Sequence, residues 1–356
     1  MNQEPTSPIT LKDVAQYAQV STSTVSRVLN NKGEISEDTR LKVFEAIHAL
    51  GYRPSLVAQG LRTKASHLIG LLLPEILSPF FAEFAMGVEL EASEAGYTVT
   101  HSNTLYLRDR EESGLHYMLD RYVDGVIYYS PLLEEHEFLP MLTQIGASVV
   151  INLPVSDPTI GGLNVNNYQG MHLIIRHLVE LGHKNIAYFA LSSSWNGRER
   201  AKAFIQALNQ AGLAFDSRRI FDPDSVANQN PQPPKAMDYS TIPQSAVEDG
   251  EKGGLHFLDV FPEVDAIIGF NDLCAVGILR ALVSAGKRVP QDVAVVGFDN
   301  ALIGSKFVPS ITSASINTLE VGKQAARMLI DHLENQVQLE KISLPFRLFP
   351  RQSTLR

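Results

Sequence analysis

The sequence predicts a small all-α helix-turn-helix head followed by an α/β body of two doubly wound lobes with a ligand cleft between them. Three observations carry this expectation. Residues 10–51 hold three sets of helix caps, each followed by apolar residues at helical spacing. From His67 the pattern changes to apolar strand, amphipathic helix, apolar strand. That cycle restarts after Asn164, which divides the body into two similar lobes.

The head is read first. Thr10 and Asp13 have the spacing of a capping box and predict a helix over 11–18, with Val14, Ala15 and Ala18 as its apolar face. Gln19-Val20 make a tight turn, and Ser21 caps a second helix over 22–30. Val25, Val28 and Leu29 point inward from it, which leaves Thr22, Ser23, Ser26 and Arg27 facing outward. Arg27 offers a forked donor that suits guanine O6 and N7, and the hydroxyls suit bases or phosphates. Ser36 caps a third helix, with Asp38 at its positive end and Gly51 as its stop. Its expected apolar stripe is Leu41, Phe44, Ile47 and Leu50.

The first lobe begins with the apolar run Leu68–Leu73, ended by Pro74. A helix over 80–95, a strand over 97–101, a helix over 109–121, the strand 125–129, a helix over 134–144 and the strand 148–152 follow. The second cycle is a helix over 168–181, strand 185–190, helices 198–211 and 246–258, strand 266–269, helix 272–285 and strand 293–297. Such alternation implies parallel strands with right-handed crossovers, and ligands bind such folds at the C-terminal strand ends. Residues 225–244 are polar and Pro-rich and read as a loop.

Composition excludes several classes. The net charge of −9 argues against nonspecific nucleic-acid coating. Residues 1–65 carry a net +2 against −11 for the rest, which places the positive charge on the head. A single cysteine, Cys274, forbids an intrachain disulfide and fits a reducing compartment. The N-terminus is polar and contains Pro5 and Pro8, without the pattern of a signal peptide, and no apolar run approaches the ~20 residues of a membrane helix. Both features point to the cytoplasm. Ten histidines show no metal spacing, and neither a G-x-S-x-G elbow nor a P-loop occurs. The chain is therefore not expected to be an enzyme or to carry a cofactor or metal.

The run Thr10-Leu-Lys-Asp-Val-Ala-Gln-Tyr-Ala-Gln-Val-Ser-Thr-Ser-Thr-Val-Ser-Arg-Val-Leu-Asn30 closely resembles the head of the lactose-repressor/galactose-repressor (LacI/GalR) family of bacterial transcription regulators. Gly51-Tyr-Arg-Pro-Ser-Leu-Val-Ala-Gln-Gly-Leu61 resembles its hinge. The resemblance implies a head over 1–52 and a hinge helix and linker over 53–66. It further implies a periplasmic-binding-protein-like core, with a first lobe from 67–164 and 316–345 and a second from 165–315 and 346–356. It gives Thr22, Ser23 and Arg27 as operator readers, and places Ala58 and Leu61 in the minor groove, where paired leucines pry open a base step. Ser55 stands where the family usually has Asn, and Gly60 lies inside the hinge helix.

Polar residues at the strand ends mark the expected cleft. Phe80, by resemblance, stands beside the ligand. Asn152 ends the strand over 148–152, Trp195 and Arg200 follow 185–190, Asn271 follows 266–269, and Asp299 follows 293–297. Forked Arg, carboxylate and amide groups with aromatics are a sugar-binding set. Family positions support Arg200 and Asp299 most strongly, although Ala203 replaces the usual Gly three residues after the arginine. Asp272 reads better as a helix cap than as a ligand contact, and an ion pair across the cleft is the structural alternative for Arg200 and Asp299.

The expected function is a repressor of a carbohydrate-utilisation operon. It would bind a pseudo-palindromic operator as a homodimer and be released by a sugar or sugar phosphate. A corepressor-dependent regulator is the alternative, and a pure sugar-binding protein a weaker one. The chain ends on Leu344–Arg356, which resembles the family's last strand without a tetramerising tail, so a dimer is expected. The hinge is expected to be disordered off DNA and to depend on operator for folding, since glycine inside a helix costs roughly 1 kcal/mol relative to alanine. Gly60→Ala is therefore expected to tighten operator binding by about fivefold per protomer in an anisotropy titration. Unchanged or weaker binding would count against an operator-folded hinge.

Overall fold

The computed structural model describes residues 9–29, 33, 35–52, 65–129, 132–192, 195–223 and 242–355, with the side chains of 242–245 excepted. Two compact units emerge, Met1–Ser66 and His67–Arg356. Ala58, Gly60 and Leu61 of the expected hinge lie outside the described residues.

The first unit is three helices, α1 (Leu11–Tyr17), α2 (Thr22–Leu29) and α3 (Glu37–Leu50). Thr10 and Asp13 form the full capping box of α1: the Thr10 N–H donates to Asp13 Oδ2 at 2.7 Å, and Asp13 N donates to Thr10 Oγ1 at 3.4 Å. Gln19, at φ 53°, turns the chain toward α2, where Ser21 Oγ accepts from Thr24 N at 3.1 Å. Ser36 caps α3, and Gly51 ends it in the left-handed conformation at φ 61°. The core is Val14, Ala15, Ala18, Val25, Val28, Val43 and Ala46.

The apolar stripe expected on α3 needs correction. Leu41 and Phe44 are 56% and 48% exposed, while Val43 and Ala46 are fully buried. Four residues at a strict spacing of three drift across about half the helix circumference, so they cannot share one face. The true face follows the spacing 43, 46, 47, 50, and its small members let the helices approach closely.

The second unit contains two six-stranded sheets. In the first run β1 (Leu68–Leu73), α4 (Pro79–Glu94), β2 (Thr98–Asn103), α5 (Arg108–Asp120), β3 (Gly125–Tyr129), α6 (Glu135–Ile145), β4 (Ala147–Ile151) and β5 (Gly161–Val165). The second holds α7 (Asn167–Glu180), β6 (Ile186–Phe189), α8 (Trp195–Gln210), β7 (Ile220–Phe221), α9 (Ile242–Val260), β8 (Ala266–Ile268), α10 (Asp272–Ser284), β9 (Ala294–Phe298), α11 (Leu302–Lys306) and β10 (Thr312–Ser315). The chain then makes α12 (Thr318–Asn335), β11 (Lys341–Leu344) and β12 (Arg347–Phe349).

The strand orders are β11-β5-β4-β3-β1-β2 and β12-β10-β9-β8-β6-β7. Every pairing is parallel except β10 with β12. The chain thus passes between sheets after β5, after β10 and after β11. Helices cover both faces of each sheet, so the central strands are buried throughout, as in β3, β4 and β9. Strands β5, β7, β10 and β11 were not expected from periodicity. Strand β10 is Thr-Ser-Ala-Ser, yet it is entirely buried: Thr312 Oγ1 pairs with Thr354 Oγ1, Ser313 Oγ donates to Asp272, and Ser315 Oγ accepts from Asn317 N.

Helix α12 lies directly on α4. A Cβ at Gly87 would stand 2.1 Å from the Leu319 carbonyl oxygen, and one at Gly322 would stand 2.2 Å from that of Phe84. Among the described residues, no helix is long and apolar enough to cross a membrane. Gly322→Ala gains up to ~1 kcal/mol of helix propensity. It must also push two helix backbones apart, and overpacking of this kind costs about 1–3 kcal/mol. The second effect is expected to win and to lower the urea midpoint of the full chain. An unchanged or raised midpoint would contradict this crossing.

Candidate functional site

The site in the second unit grows from the C-terminal ends of parallel strands. Arg200 sits on α8, the helix that follows β6, and is 5% exposed. Its Nε donates to Asn167 Oδ1 at 3.0 Å, Nη1 to the Phe270 carbonyl at 2.6 Å and Nη2 to Asp299 Oδ1 at 3.4 Å. The Phe270 and Phe298 rings flank the guanidinium at 5.0 and 4.2 Å. Every one of these partners belongs to the second sheet and its helices. The Arg200–Asp299 ion pair therefore exists, but within one lobe and not across the cleft.

Asp299 follows β9 at φ 93°, a left-handed backbone that strains any side-chain-bearing residue. Burial raises its carboxyl above the usual range, and the Arg200 charge and hydrogen bond oppose that rise. Behind it lies Asp272, 1% exposed, whose Oδ1 accepts from Ser313 Oγ and whose Oδ2 accepts from Ala301 N, both at 2.6 Å. Burial, then the Asp299 charge, lifts its carboxyl well above the ordinary value.

A cleft holding about 230 Å³ of space, part of it open to solvent, lies beside this pair. Asn196, Arg200 and Asp299 form its second-lobe wall, and Phe80 and Tyr129 face them from the first lobe. Val165, Ser315, Ile316 and Phe346 complete it. Those four belong to the three passages between the sheets. The first-lobe wall is a knot of rings, with Phe80 and Phe84 set edge-on to Tyr129 at 5.8 and 4.9 Å. Among strand ends on this side, Leu105, Tyr106, Asn152, Asp299, Asn300 and Asn317 all adopt positive φ.

Of the six residues expected at the ligand, Phe80, Arg200 and Asp299 line the cavity, whereas Asn152, Trp195 and Asn271 do not. Asn152 is buried at φ 66° beyond β4. Trp195 opens α8 one residue before Asn196, which does line the cavity and accepts from Asn167 Nδ2 at 2.7 Å. Asn271 caps α10, its Oδ1 accepting from Cys274 N at 2.8 Å. The cap expected of Asp272 thus falls to its neighbour, and Asp272 instead braces the turn after β9 and strand β10. Tyr129 was missed although it closes a strand at its C-terminal end, which was signal enough.

On the head, Thr22, Ser23 and Arg27 are exposed on α2 and Ser26 is half-buried. Ser23 Oγ lies 2.7 Å from Ser21 Oγ within the capping cluster. Tyr17, 58% exposed at the end of α1, is a further polar-tipped aromatic that periodicity did not single out.

Glu75, between β1 and α4, is raised by burial from 4.5 to about 7. A raised carboxyl favours the folded state fully below its unfolded value, and that contribution is lost as pH rises through about 7. Glu75→Gln is therefore expected to raise the melting temperature at pH 8, by at most about 3 kcal/mol of stability. The advantage should fade toward pH 5, and a pH-independent difference would refute the assignment.

Residues 10–55 match the bacterial regulatory proteins, lacI family, and residues 175–354 match the periplasmic binding protein-like domain. The chain is 32% identical over 353 residues to the ribose operon repressor of Halalkalibacterium halodurans, covering 97% of each protein. It superposes on the lac repressor dimer bound to operator and the anti-inducer ONPF with a TM-score of 0.82 at 26% identity, covering 98% of this chain and 100% of that one. A transcriptional regulator CelR–cellobiose complex gives a TM-score of 0.67 at 28% identity, covering 97% of this chain and 99% of that one. The capped three-helix head, the two-sheet body and these matches agree: the chain belongs to the LacI family of bacterial transcriptional regulators.

Proposed function

We propose that this regulator is a repressor of a carbohydrate-utilisation operon, acting in the cytoplasm. It binds a pseudo-palindromic operator as a homodimer and is released by a sugar-like effector held between its lobes. The observation that carries this reading is the cavity itself, in which a guanidinium–carboxylate pair faces aromatic rings. Arg200 and Asp299 supply adjacent donors and acceptors for vicinal hydroxyls, and the Phe80 and Tyr129 rings suit the apolar face of a pyranose. The names of the relatives support the same class, since one is a ribose operon repressor and another structure holds cellobiose.

On DNA, each head places α2 in one major-groove half-site, with Thr22, Ser23 and Arg27 at base edges and Ser26 toward the backbone. The hinge residues Ala58 and Leu61 enter the minor groove by the same family reading. A ligand that spans both lobes binds one lobe arrangement better than another. It can therefore shift operator affinity only by its differential affinity for the two, and operator shifts ligand affinity by the same factor.

Binding of full-length protein to a labelled operator, selected from a random palindromic pool, tests this directly. A sugar panel is expected to contain a compound that releases the DNA. Asp299→Ala is expected to keep operator affinity within about threefold and to lose that release, and Asp299→Asn, which preserves shape, should behave alike. Release retained in both variants would sink the assignment.

A further inference from the structure

Two asparagines stand together where the chain first passes between the sheets, and they do different work. Asn166 caps α7, its Oδ1 accepting from Gln169 N at 3.0 Å. Asn167 is left to turn its side chain inward, where it is 4% exposed. It does not line the cavity, yet it bonds to two residues that do. Its Oδ1 accepts from Arg200 Nε at 3.0 Å, and its Nδ2 donates to Asn196 Oδ1 at 2.7 Å.

The direction of this chain is fixed by what each group can do. A guanidinium has no lone pair to offer, so Arg200 only donates. Asn167 must therefore give its carbonyl oxygen to Arg200, which leaves its amide N–H for Asn196. Asn196 must in turn give its own carbonyl oxygen to Asn167, and its Nδ2 is what remains for the cavity it lines. That Nδ2 has no partner among the described residues. The backbone beneath it is closely held: a Cβ at Gly197, the next residue, would stand 1.6 Å from the Leu191 carbonyl oxygen.

The bonding capacity left on this wall then has a definite sense. Asn196 offers a donor, Arg200 keeps the N–H groups not given to Asn167, Phe270 and Asp299, and Asp299 keeps Oδ2 as an acceptor. The two orientations of an amide have the same shape, so only its hydrogen bonds decide between them. Without the donor on Asn167, the Asn196 amide would be free to set its carbonyl oxygen against a ligand lone pair.

We propose that Asn167 is a positioning residue for the effector site. Oriented by Arg200, it holds Asn196 with Nδ2 toward the cavity, where that group donates to a ligand oxygen with no proton to spare. Such an oxygen is a ring or ether oxygen, or a hydroxyl whose proton goes to Asp299. A protonated amine at that point is rejected, because it has no lone pair to accept with. This rests on the cleft being the sugar site proposed above, and it assigns the sense of one of that site's hydrogen bonds.

Calorimetric titration of the full chain with ribose, glucose and cellobiose tests it, as a double-mutant cycle on whichever of the three binds most tightly. Asn196→Ala is expected to weaken that probe by about fivefold, the worth of one net hydrogen bond. Asn167→Asp keeps the acceptor for Arg200 but offers Asn196 no donor, so the Asn196 amide must turn and affinity falls. The added charge acts alike with and without the Asn196 side chain, so the cycle cancels it. The cost of Asn167→Asp is therefore expected to shrink by about fivefold once Asn196 is replaced by alanine. Equal costs in both backgrounds overturn the proposal and leave the sugar site standing. So does an Asn196→Ala protein of unchanged affinity. Should the urea midpoint show that Asn167→Asp does not fold, Asn196→Asp takes its place. It still accepts from Asn167 but turns an acceptor toward the ligand, so it must lose more affinity than Asn196→Ala, and an equal or smaller loss overturns the proposal. Silence from all three probes overturns the sugar site and this proposal together.

Discussion

The body's functional geometry depends on one buried guanidinium. Arg200 touches the start of α7 through Asn167, the end of β8 through the Phe270 carbonyl and the end of β9 through Asp299, while two rings flank it. Desolvating a charge costs several kcal/mol unless geometry and hydrogen bonding compensate, and removing one partner leaves the rest uncompensated. Those contacts hold three strand-end segments in fixed relation. They also explain why Asp299 tolerates a left-handed backbone: its carboxylate is anchored on the arginine, and Asp272 braces the turn that follows. The second-lobe wall is thus set before any ligand arrives, the preorganisation that lowers the entropic cost of binding.

The opposite wall is built differently. Phe80, Phe84 and Tyr129 interlock by edge-to-face contacts and present area more than polarity. Between the walls lie Val165, Ser315, Ile316 and Phe346, all from the passages between the sheets. Phe346 N donates to Gln169 Oε1 at 3.0 Å and its ring meets Phe298 edge-on at 6.0 Å, so one passage is tied to the Arg200 cluster itself. Whatever occupies this cavity touches all three passages between the sheets. The space between the walls admits little more than one water-sized sphere, about 10 Å³, so a sugar must widen the space it enters.

Much of this was legible because parallel α/β sheets concentrate function at strand ends. The strand-end rule points to Asp299 but equally to Asn152 and Asn271, whereas Phe80 and Arg200 stand further past their strands and rest on the family resemblance. Tyr129 apart, what was missed shares a cause: a side chain's role depends on which group it meets in the fold, and spacing does not reveal that. Asn271 and Asp272 are equally good caps on paper, but in the fold the first takes the cap and the second turns to Ser313 and Ala301. Strand β10 hid because its polar side chains are satisfied inside the protein. On α3 two apolar stripes overlap in sequence, and only contact with α1 and α2 selects the one holding Val43 and Ala46.

The head's construction bears on how strong a switch needs to be. Its fully buried residues are valines and alanines, so its core is thin and its own stability modest. Allosteric couplings of about 1–3 kcal/mol change affinity by roughly 5–150-fold. A net hydrogen bond contributes about 0.5–1.5 kcal/mol, and more where one partner is charged. Two or three bonds made in one lobe arrangement and broken in another therefore suffice. Arg200 and Asp299 on one wall and the Phe80 and Tyr129 rings on the other can bias the lobes only through a ligand touching both walls at once. On the proposed reading, the effector's reach between these walls, more than its total affinity, decides whether it can act on the operator.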